Sequence, residues 1–285
     1  MGNEMIQIAG RPYQNLNSLN LDNLENGIAN KMADANTVYS YPSQKDFLFE
    51  LRYRKHMIES SKQMSEGKAV FTTFAYAACN PACWNLTGAG GFMLKDGVNP
   101  SDAITDIFTN SQQYAFECAT ACVILFYHAV LKTISRPDFN RLFQNLYLYS
   151  WHTDPDLGLH TFYGDHILPG DVVYFSNPDY SQENPWYRGE NAVLMEDGRY
   201  FGHGLGIMTG DEIIDFLNEM RREGSSQPAY LTNLITRLSF NSTAGYGVSQ
   251  WSRQKKHHWV AHHNKDSISR MRYQRYLYKG HSSQR

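Results

Sequence analysis

The sequence predicts an α+β fold, an antiparallel sheet with a buried helix packed on it. Three observations carry this. Up to residue 146 the segments between the glycine-rich stretches have helical spacing. After residue 146 the pattern changes to short strand-like runs separated by Gly, Pro, Asn and Asp. The stretch Val123-Ile124-Leu125-Phe126-Tyr127 is apolar enough that the helix holding it must be covered. Helices, then strands, then one more helix is the order of an α+β domain. A chain of 285 residues with 42% apolar and 14% aromatic residues can bury a sizeable core. No internal repeat is evident.

Residues 1 to 40 are rich in Asn, Gly and Ser, with Leu16, Leu19, Leu21 and Leu24, and read as an extended, partly ordered segment. Residues 43 to 66 read as a helix, because Phe47, Leu48, Leu51 and Ile58 fall near one stripe and Gly67 supplies a stop. Residues 80 to 100 hold Gly88, Gly90, Gly91 and Gly97 and read as loop. They lack the Gly-Lys-Ser/Thr of a phosphate loop, and turn chemistry accounts for them better. Residues 101 to 109 read as a short helix opened by Ser101-Asp102, residues 116 to 134 as the buried helix, and residues 137 to 146 as another. Tyr147 to Trp151, Asp171 to Phe175, Glu190 to Met195 and Arg199 to His203 read as strands. Thr209-Gly210-Asp211-Glu212 has the form of a capping box. It precedes Ile213, Leu217 and Met220, with Gly224 as the stop, and predicts the last helix.

The formal net charge of -2 hides an asymmetry. Residues 240 to 285 carry nine Lys or Arg, one acid (Asp266) and five histidines, which leaves 17 basic and 27 acidic residues for 1 to 239. The reading is therefore a catalytic domain over 1–239 and a basic, His-rich extension over 240–285. The extension suits a solvated tail, an acidic protein surface, a nucleic acid or, through its histidines, a metal. A solvated or protein-docking role is expected, with no nucleic acid. No apolar run approaches the length of a membrane helix. The N-terminus has no charged start followed by an apolar stretch, and Ile6 spoils a myristoylation pattern. These features predict a protein kept inside the cell, with reduced cysteines and no membrane partner.

The cysteines are Cys79, Cys83, Cys118 and Cys122. Their spacing lacks the tight knuckles of a zinc site, so no metal is expected. Cys118 stands at the front of the buried helix, preceded by Glu117. The helix dipole and the free N–H groups of a first turn favour a thiolate there. The plainer alternative is a small buried hydrophobe, which remains the reading of Cys122. Asp197-Gly198 signals a two-residue hairpin. In that register Ala192 faces His203, and Glu190 becomes a diagonal neighbour of His203 on one face of the sheet. Glu190 and His203 would then converge near Cys118. Taken singly, Glu190 could pair with Arg188, His203 could be a turn residue, and Glu117 could simply cap the helix. His152 and His160 are competing imidazoles that no register argument places beside Cys118. Trp151, Trp186 and Tyr187 are aromatics that could wall a substrate passage or belong to the core.

These residues carry a resemblance. Tyr114-Ala115-Phe116-Glu117-Cys118-Ala119-Thr120-Ala121, Arg188-Gly189-Glu190-Asn191 and Phe201-Gly202-His203-Gly204-Leu205-Gly206-Ile207 resemble, in order, blocks of the spore-coat transglutaminases of Bacillus and relatives. The resemblance covers about residues 1 to 238. It implies a papain-like cysteine-enzyme core, with no cofactor and no calcium. It implies a protein-glutamine gamma-glutamyltransferase that crosslinks spore coat proteins through ε-(γ-glutamyl)lysine bonds. It further implies a protein made in the mother-cell cytoplasm and carried to the spore coat, and a monomer is expected. Residue by residue, it implies Cys118 as nucleophile, Glu190 as its base, Glu117 as a partly substituting carboxylate and His203 as a neighbour in the site. Trp151 would line a substrate tunnel with Trp186 and Tyr187. Where the family pattern has Trp directly before Arg-Gly-Glu, this chain has Tyr187, with Trp186 before it. A cysteine amidase or peptidase that hydrolyses the acyl-enzyme is the alternative outcome on the same site. A non-catalytic coat scaffold is the alternative of another class.

Overall fold

The computed structural model describes residues 5–239 and, further on, the backbone of two short strands at 260–263 and 266–269. The start of the chain is more ordered than its composition suggests. Strand β1 (Ile6–Ile8) pairs antiparallel with β2 (Arg11–Pro12). Helix α1 (Asn23–Ala33) follows, and β3 (Tyr39–Tyr41) returns to lie parallel to β1. The signal for α1 is a capping box: Glu25 N–H donates to Asp22 at 2.9 Å, and Asp22 N–H donates back to the Glu25 carboxylate at 3.1 Å. Asn26, Gly27 and Asn30 dilute the helical composition and hide it. The reading of residues 1 to 40 as an extended segment is corrected accordingly.

Helix α2 (Gln44–Glu66) matches its expected span and buries Phe47, Leu51 and Ile58. It also buries Arg54, which bonds Glu50 at 2.7 Å and Asp171 at 2.8 Å and so ties the helix to the main sheet. Strand β4 (Val70–Phe71) follows. The glycine-rich stretch is not all loop. Strands β5 (Trp84–Leu86) and β6 (Phe92–Leu94) form a hairpin across it. The glycines serve the turn: Gly90 has φ +85°, and a β-carbon there would stand 2.1 Å from the Phe74 carbonyl oxygen. Helix α3 (Pro100–Thr109) begins on a proline at its first position. Strand β7 (Ala115–Phe116) lies parallel to β4 and leads directly into α4 (Cys118–Thr133). Helix α5 (Arg136–Leu142) ends four residues before the expected boundary. Strand β8 (Tyr147–Leu148) joins β6, so the Tyr147 segment belongs to the small sheet and not to the main one.

The main sheet has six strands: β9 (Leu159–Tyr163), β10 (Val172–Ser176), β11 (Gly189–Leu194), β12 (Tyr200–Gly202), β13 (Gly206–Met208) and β14 (Tyr230–Leu238). Their order is β13-β12-β11-β10-β14-β9, and every pairing is antiparallel. Strands β9, β13 and β14 were not legible as strands. Helix α6 (Gly210–Glu219) starts on the expected capping box but ends before Gly224. Val172, Val193 and Phe201 face the core built around α2 and α4. Val173, Phe175, Ala192, Leu194 and Tyr200 face Ile213 and Leu217 of α6. The sheet is thus covered on both faces, with the apolar helix α4 on one side.

The β11–β12 hairpin departs from the expected register by one residue. Met195 N–H donates to the Arg199 carbonyl at 2.8 Å, so the loop has three residues, and Gly198 takes φ +86°. Ala192 therefore pairs with Gly202, not with His203. A one-residue shift moves a side chain to the other face. His203 takes the face of Phe201, toward α4, while Glu190 shares the face of Ala192. The expectation that the two side chains lie on one face is overturned.

Beyond residue 239, strand β15 (Val260–His263) pairs antiparallel with β16 (Asp266–Ser269). The rest of the basic, His-rich extension lies outside the described residues. Among the described residues no helix is long and apolar enough to cross a membrane.

Candidate active site

Cys118 is the first residue of α4, and Glu117 caps it. The Glu117 carboxylate accepts from Ala119 N–H at 2.7 Å, Thr120 N–H at 2.6 Å and the Thr120 hydroxyl at 2.7 Å. Its oxygens are occupied by the helix start. The same hydroxyl accepts from Ser150 N–H at 2.8 Å. That bond ties the loop carrying Trp151 to the cap, with Ser150 held at φ +48°. Trp151 packs, partly buried, against the main core.

Strand β11 supplies the residues that meet the thiol. Asn191 donates its side-chain amide to Cys118 Sγ at 3.5 Å. One helical turn along, the buried Cys122 thiol points at the Asn191 carbonyl, 3.9 Å away. Tyr174 pairs with Asn191 across β10 and β11, so the two share the face toward α4. Tyr174 donates to the Arg188 carbonyl at 3.3 Å. Its hydroxyl lies where a side chain on Gly189 would begin, 2.2 Å from an added β-carbon. This explains the glycine of Arg188-Gly189-Glu190. Burial, and then the neighbouring Cys118, push the Tyr174 phenol up to about 12.

Glu190 is buried and lies over Gly202, whose missing side chain leaves room for it. A β-carbon there would stand 3.1 Å from Oε1. The backbone N–H of His203 donates to this carboxyl. Oε1 is buried with no hydrogen-bond partner among the described residues. Burial first, and then Glu117, push the Glu190 carboxyl well above the usual carboxylate range. Burial, Glu190 and Glu117 likewise raise the Cys118 thiol well above its ordinary value, while Asn191 opposes them. The expectation that the helix start favours thiolate is therefore overturned. Burial and two carboxylates outweigh a partial positive charge.

The remaining expected residues separate. The His203 ring is buried, stacks on Phe116 at 4.5 Å and meets Phe71 edge-on at 6.2 Å. Burial lowers it to about 4, so it is neutral at physiological pH. Trp186 and Tyr187 stand in the turn before β11. Tyr187 packs edge-on against Phe216 of α6 at 5.4 Å, and Trp186 leans on Tyr187 and is 39% exposed. His152 is exposed beside Tyr147, and His160 lies on the edge strand β9, stacked on Phe162. Burial pushes the Cys79 thiol up to about 11. Among the described residues no three His, Cys, Asp or Glu side chains gather as a metal site. Asn191 and Tyr174 were missed. Asn191 stands within the Arg188-Gly189-Glu190-Asn191 motif, but its role depends on a strand face that a two-residue hairpin register conceals.

The chain as a whole is similar to known proteins. The family model described as "Protein-glutamine gamma-glutamyltransferase" matches residues 5–247. A protein of that name from Halalkalibacterium halodurans is 50% identical over 97% of this chain and 98% of its own length. One from Bacillus subtilis is 38% identical over 84% of this chain and 98% of its own length. The solved structure of a transglutaminase from Geobacillus stearothermophilus, without its C-terminal extension, is 45% identical. It matches with a TM-score of 0.69, covering 75% of this chain and 100% of that one.

Proposed function

The chain belongs to the protein-glutamine gamma-glutamyltransferase family and is an acyltransferase, and we propose that Cys118 is its nucleophile and Glu190 the group that moves its protons. The observation that carries this reading is the buried Glu190 carboxyl, with one unpartnered oxygen, coupled electrostatically to the Cys118 thiol. Cys118 Sγ attacks the γ-carbonyl carbon of a protein glutamine as Glu190 takes the thiol proton. The adduct collapses, Glu190 returns that proton to the amide nitrogen, ammonia leaves and a thioester remains. An uncharged lysine ε-amine then attacks the thioester carbon and passes its proton to Glu190. The C–S bond breaks, and the sulfur regains the proton. A carboxyl with a raised pKa suits both directions of transfer. Glu117, committed to the helix cap, contributes charge and position, with a secondary share in proton transfer.

A cysteine at the start of a helix packed on an antiparallel sheet supports a papain-like core. Trp151, tethered through Ser150 to the cap, and the exposed Trp186 beside Tyr187 are assigned to substrate binding. The resemblance to spore-coat transglutaminases supports coat proteins as glutamine and lysine donors. It likewise supports an enzyme that acts first in the mother-cell cytoplasm and then in the coat. None of the steps above calls on calcium. Incubating the protein with casein in EDTA tests the reading: high-mass, ε-(γ-glutamyl)lysine-containing product is expected from the wild type and none from Cys118→Ala. Glutamine converted to glutamate without crosslinks would instead mark a hydrolase.

A further inference from the structure

The steps above leave unassigned the amide that touches the reactive sulfur. As Sγ bonds the carbonyl carbon, the π electrons move onto oxygen, and that oxyanion is one bond from the carbon that Sγ holds. It needs hydrogen-bond donors within about 3 Å. The site is otherwise hostile to it, because Glu190 and Glu117 both raise the energy of negative charge there. We propose that the side-chain amide of Asn191 and the backbone N–H of Cys118 form the oxyanion hole of the acyl-transfer step. The proposal rests on the reading of Cys118 as nucleophile.

Two sets of contacts single out these donors. The Glu117 cap takes the N–H groups of Ala119 and Thr120 and passes over that of Cys118. As the first residue of the helix, Cys118 has no intrahelical acceptor for its N–H, and among the described residues no other group accepts it. Asn191 Nδ2 stands 3.5 Å from Sγ, within reach of an atom bonded to the carbon that the sulfur attacks. Its backbone is fixed by β-pairing to Tyr174 and by the Cys122 thiol at its carbonyl, so the amide is positioned before substrate arrives. Being neutral, it can serve an oxyanion without neutralising the Glu190 carboxylate that must take a proton. In the tetrahedral state the oxygen carries the pair released from the C=O bond. On collapse the pair returns, the C–N bond breaks, and nitrogen leaves as ammonia with the proton from Glu190. The same two donors serve the second adduct, formed by the lysine amine on the thioester.

Asn191 also lies on the thiol, so the test must separate an oxyanion donor from a group that only tunes sulfur. The probes are iodoacetamide, which alkylates Cys118 without an oxyanion, and a blocked peptide whose glutamine carboxamide is replaced by an aldehyde, which adds the thiol as a tetrahedral hemithioacetal. In Asn191→Leu, kcat for amine incorporation should fall on the order of 10²- to 10³-fold, with KM for the glutamine peptide little changed. Aldehyde affinity should fall by a similar factor. The limiting alkylation rate at high pH should stay within roughly threefold of wild type. Asn191→Gln, which keeps the donor, should recover part of kcat. Unchanged aldehyde affinity, or alkylation lost in step with kcat, overturns the proposal. Crosslinking retained in Cys118→Ala overturns the nucleophile reading instead.

Discussion

The Glu190 carboxyl lies over Gly202, with its Oε1 3.1 Å from the place a β-carbon on Gly202 would occupy. Strand β12 thus makes room for an acid where any other residue would crowd it, and its next residue, His203, presents a backbone N–H to that acid. The carboxyl thus fills one strand's empty position, and its charge reaches the Cys118 thiol at the start of α4 and raises it.

Gly202→Ala should therefore damage activity more than stability. The added methyl pushes a buried, positioned carboxyl by a few tenths of an ångström, which we expect to lower kcat about tenfold, since a 1 Å misplacement costs about a hundredfold. Thermal unfolding and amine-incorporation kinetics on the same preparation check this. Wild-type kcat in Gly202→Ala would show that the position of Glu190 is not limiting.

Glu190→Gln should cost far more activity than Glu117→Gln. A general acid–base group contributes on the order of 10²- to 10⁴-fold, whereas loss of the Glu117 charge from the cap should cost about 1 kcal/mol of stability. The double variant should be worse than either single change. Crosslinking rates and melting temperatures for the three variants decide the matter, and a fully active double variant would reject the carboxylate mechanism.

Alkylation should report the charge around the thiol. Burial holds Cys118 above an ordinary cysteine, and Glu190 raises it further. The midpoint of the iodoacetamide rate against pH should lie above the usual thiol range in the wild type and move down in Glu190→Gln, where the negative neighbour is gone. Cys118→Ala should lose all crosslinking. Cys79→Ala, Cys83→Ala and Cys122→Ala should keep most of it. A midpoint that does not move in Glu190→Gln would uncouple the two groups.

How much of this was legible in the sequence depends on which force decides each element. The buried helix, the Glu117 cap and the capping box at Thr209 were local signals, and they appear where expected. The pairing of Glu190 with Cys118 came from family likeness, because the hairpin register expected from the sequence is off by one. A three-residue loop and a two-residue loop share the same Asp-Gly signal, and only tertiary pairing chooses between them. Strands β9 and β14 stayed hidden because their stability comes from partners distant in sequence, Tyr163 with Leu234 and Val172 with Thr236. The sign of the Cys118 shift was missed for the same reason. A helix dipole can be read from sequence, whereas burial and two carboxylates require the fold.

His203 should make the protein acid-sensitive without being its base. Its ring, neutral between Phe116 and Phe71, has a pKa lowered to about 4 in the fold, against about 6.5 unfolded. Between those values the unfolded chain binds the proton and the folded chain does not. Stability therefore falls as pH drops through that window, and below about 4 no further loss comes from this group. His203→Phe, which keeps the stack and the backbone N–H to Glu190, should show a slope of stability against pH shallower by at most ~1.4 kcal/mol per pH unit there, and most of its turnover. Denaturant melts from pH 4 to 7 test the first point. Loss of crosslinking in a folded His203→Phe would restore the imidazole to the catalytic machinery.

The extension beyond residue 239 should be dispensable for chemistry. Strand β14 ends at the buried Leu238, and Ser239 N–H closes onto the Gly158 carbonyl at 2.9 Å, so the main sheet is complete at that point. The Geobacillus stearothermophilus structure without its C-terminal extension matches over its whole length, whereas the Halalkalibacterium halodurans relative matches into the extension as well. Nine Lys or Arg against a single acid suit the extension to an acidic surface, and its five histidines add charge as pH falls toward 6. Truncation after Ser239 should leave a folded enzyme with unchanged kcat on a small amine. Binding to isolated coat material should become weaker and less dependent on salt. For the full chain that binding should strengthen from pH 7.5 to 6, and for the truncated chain it should not. A truncated protein that is insoluble, or inactive on small substrates, would place the extension inside the catalytic domain.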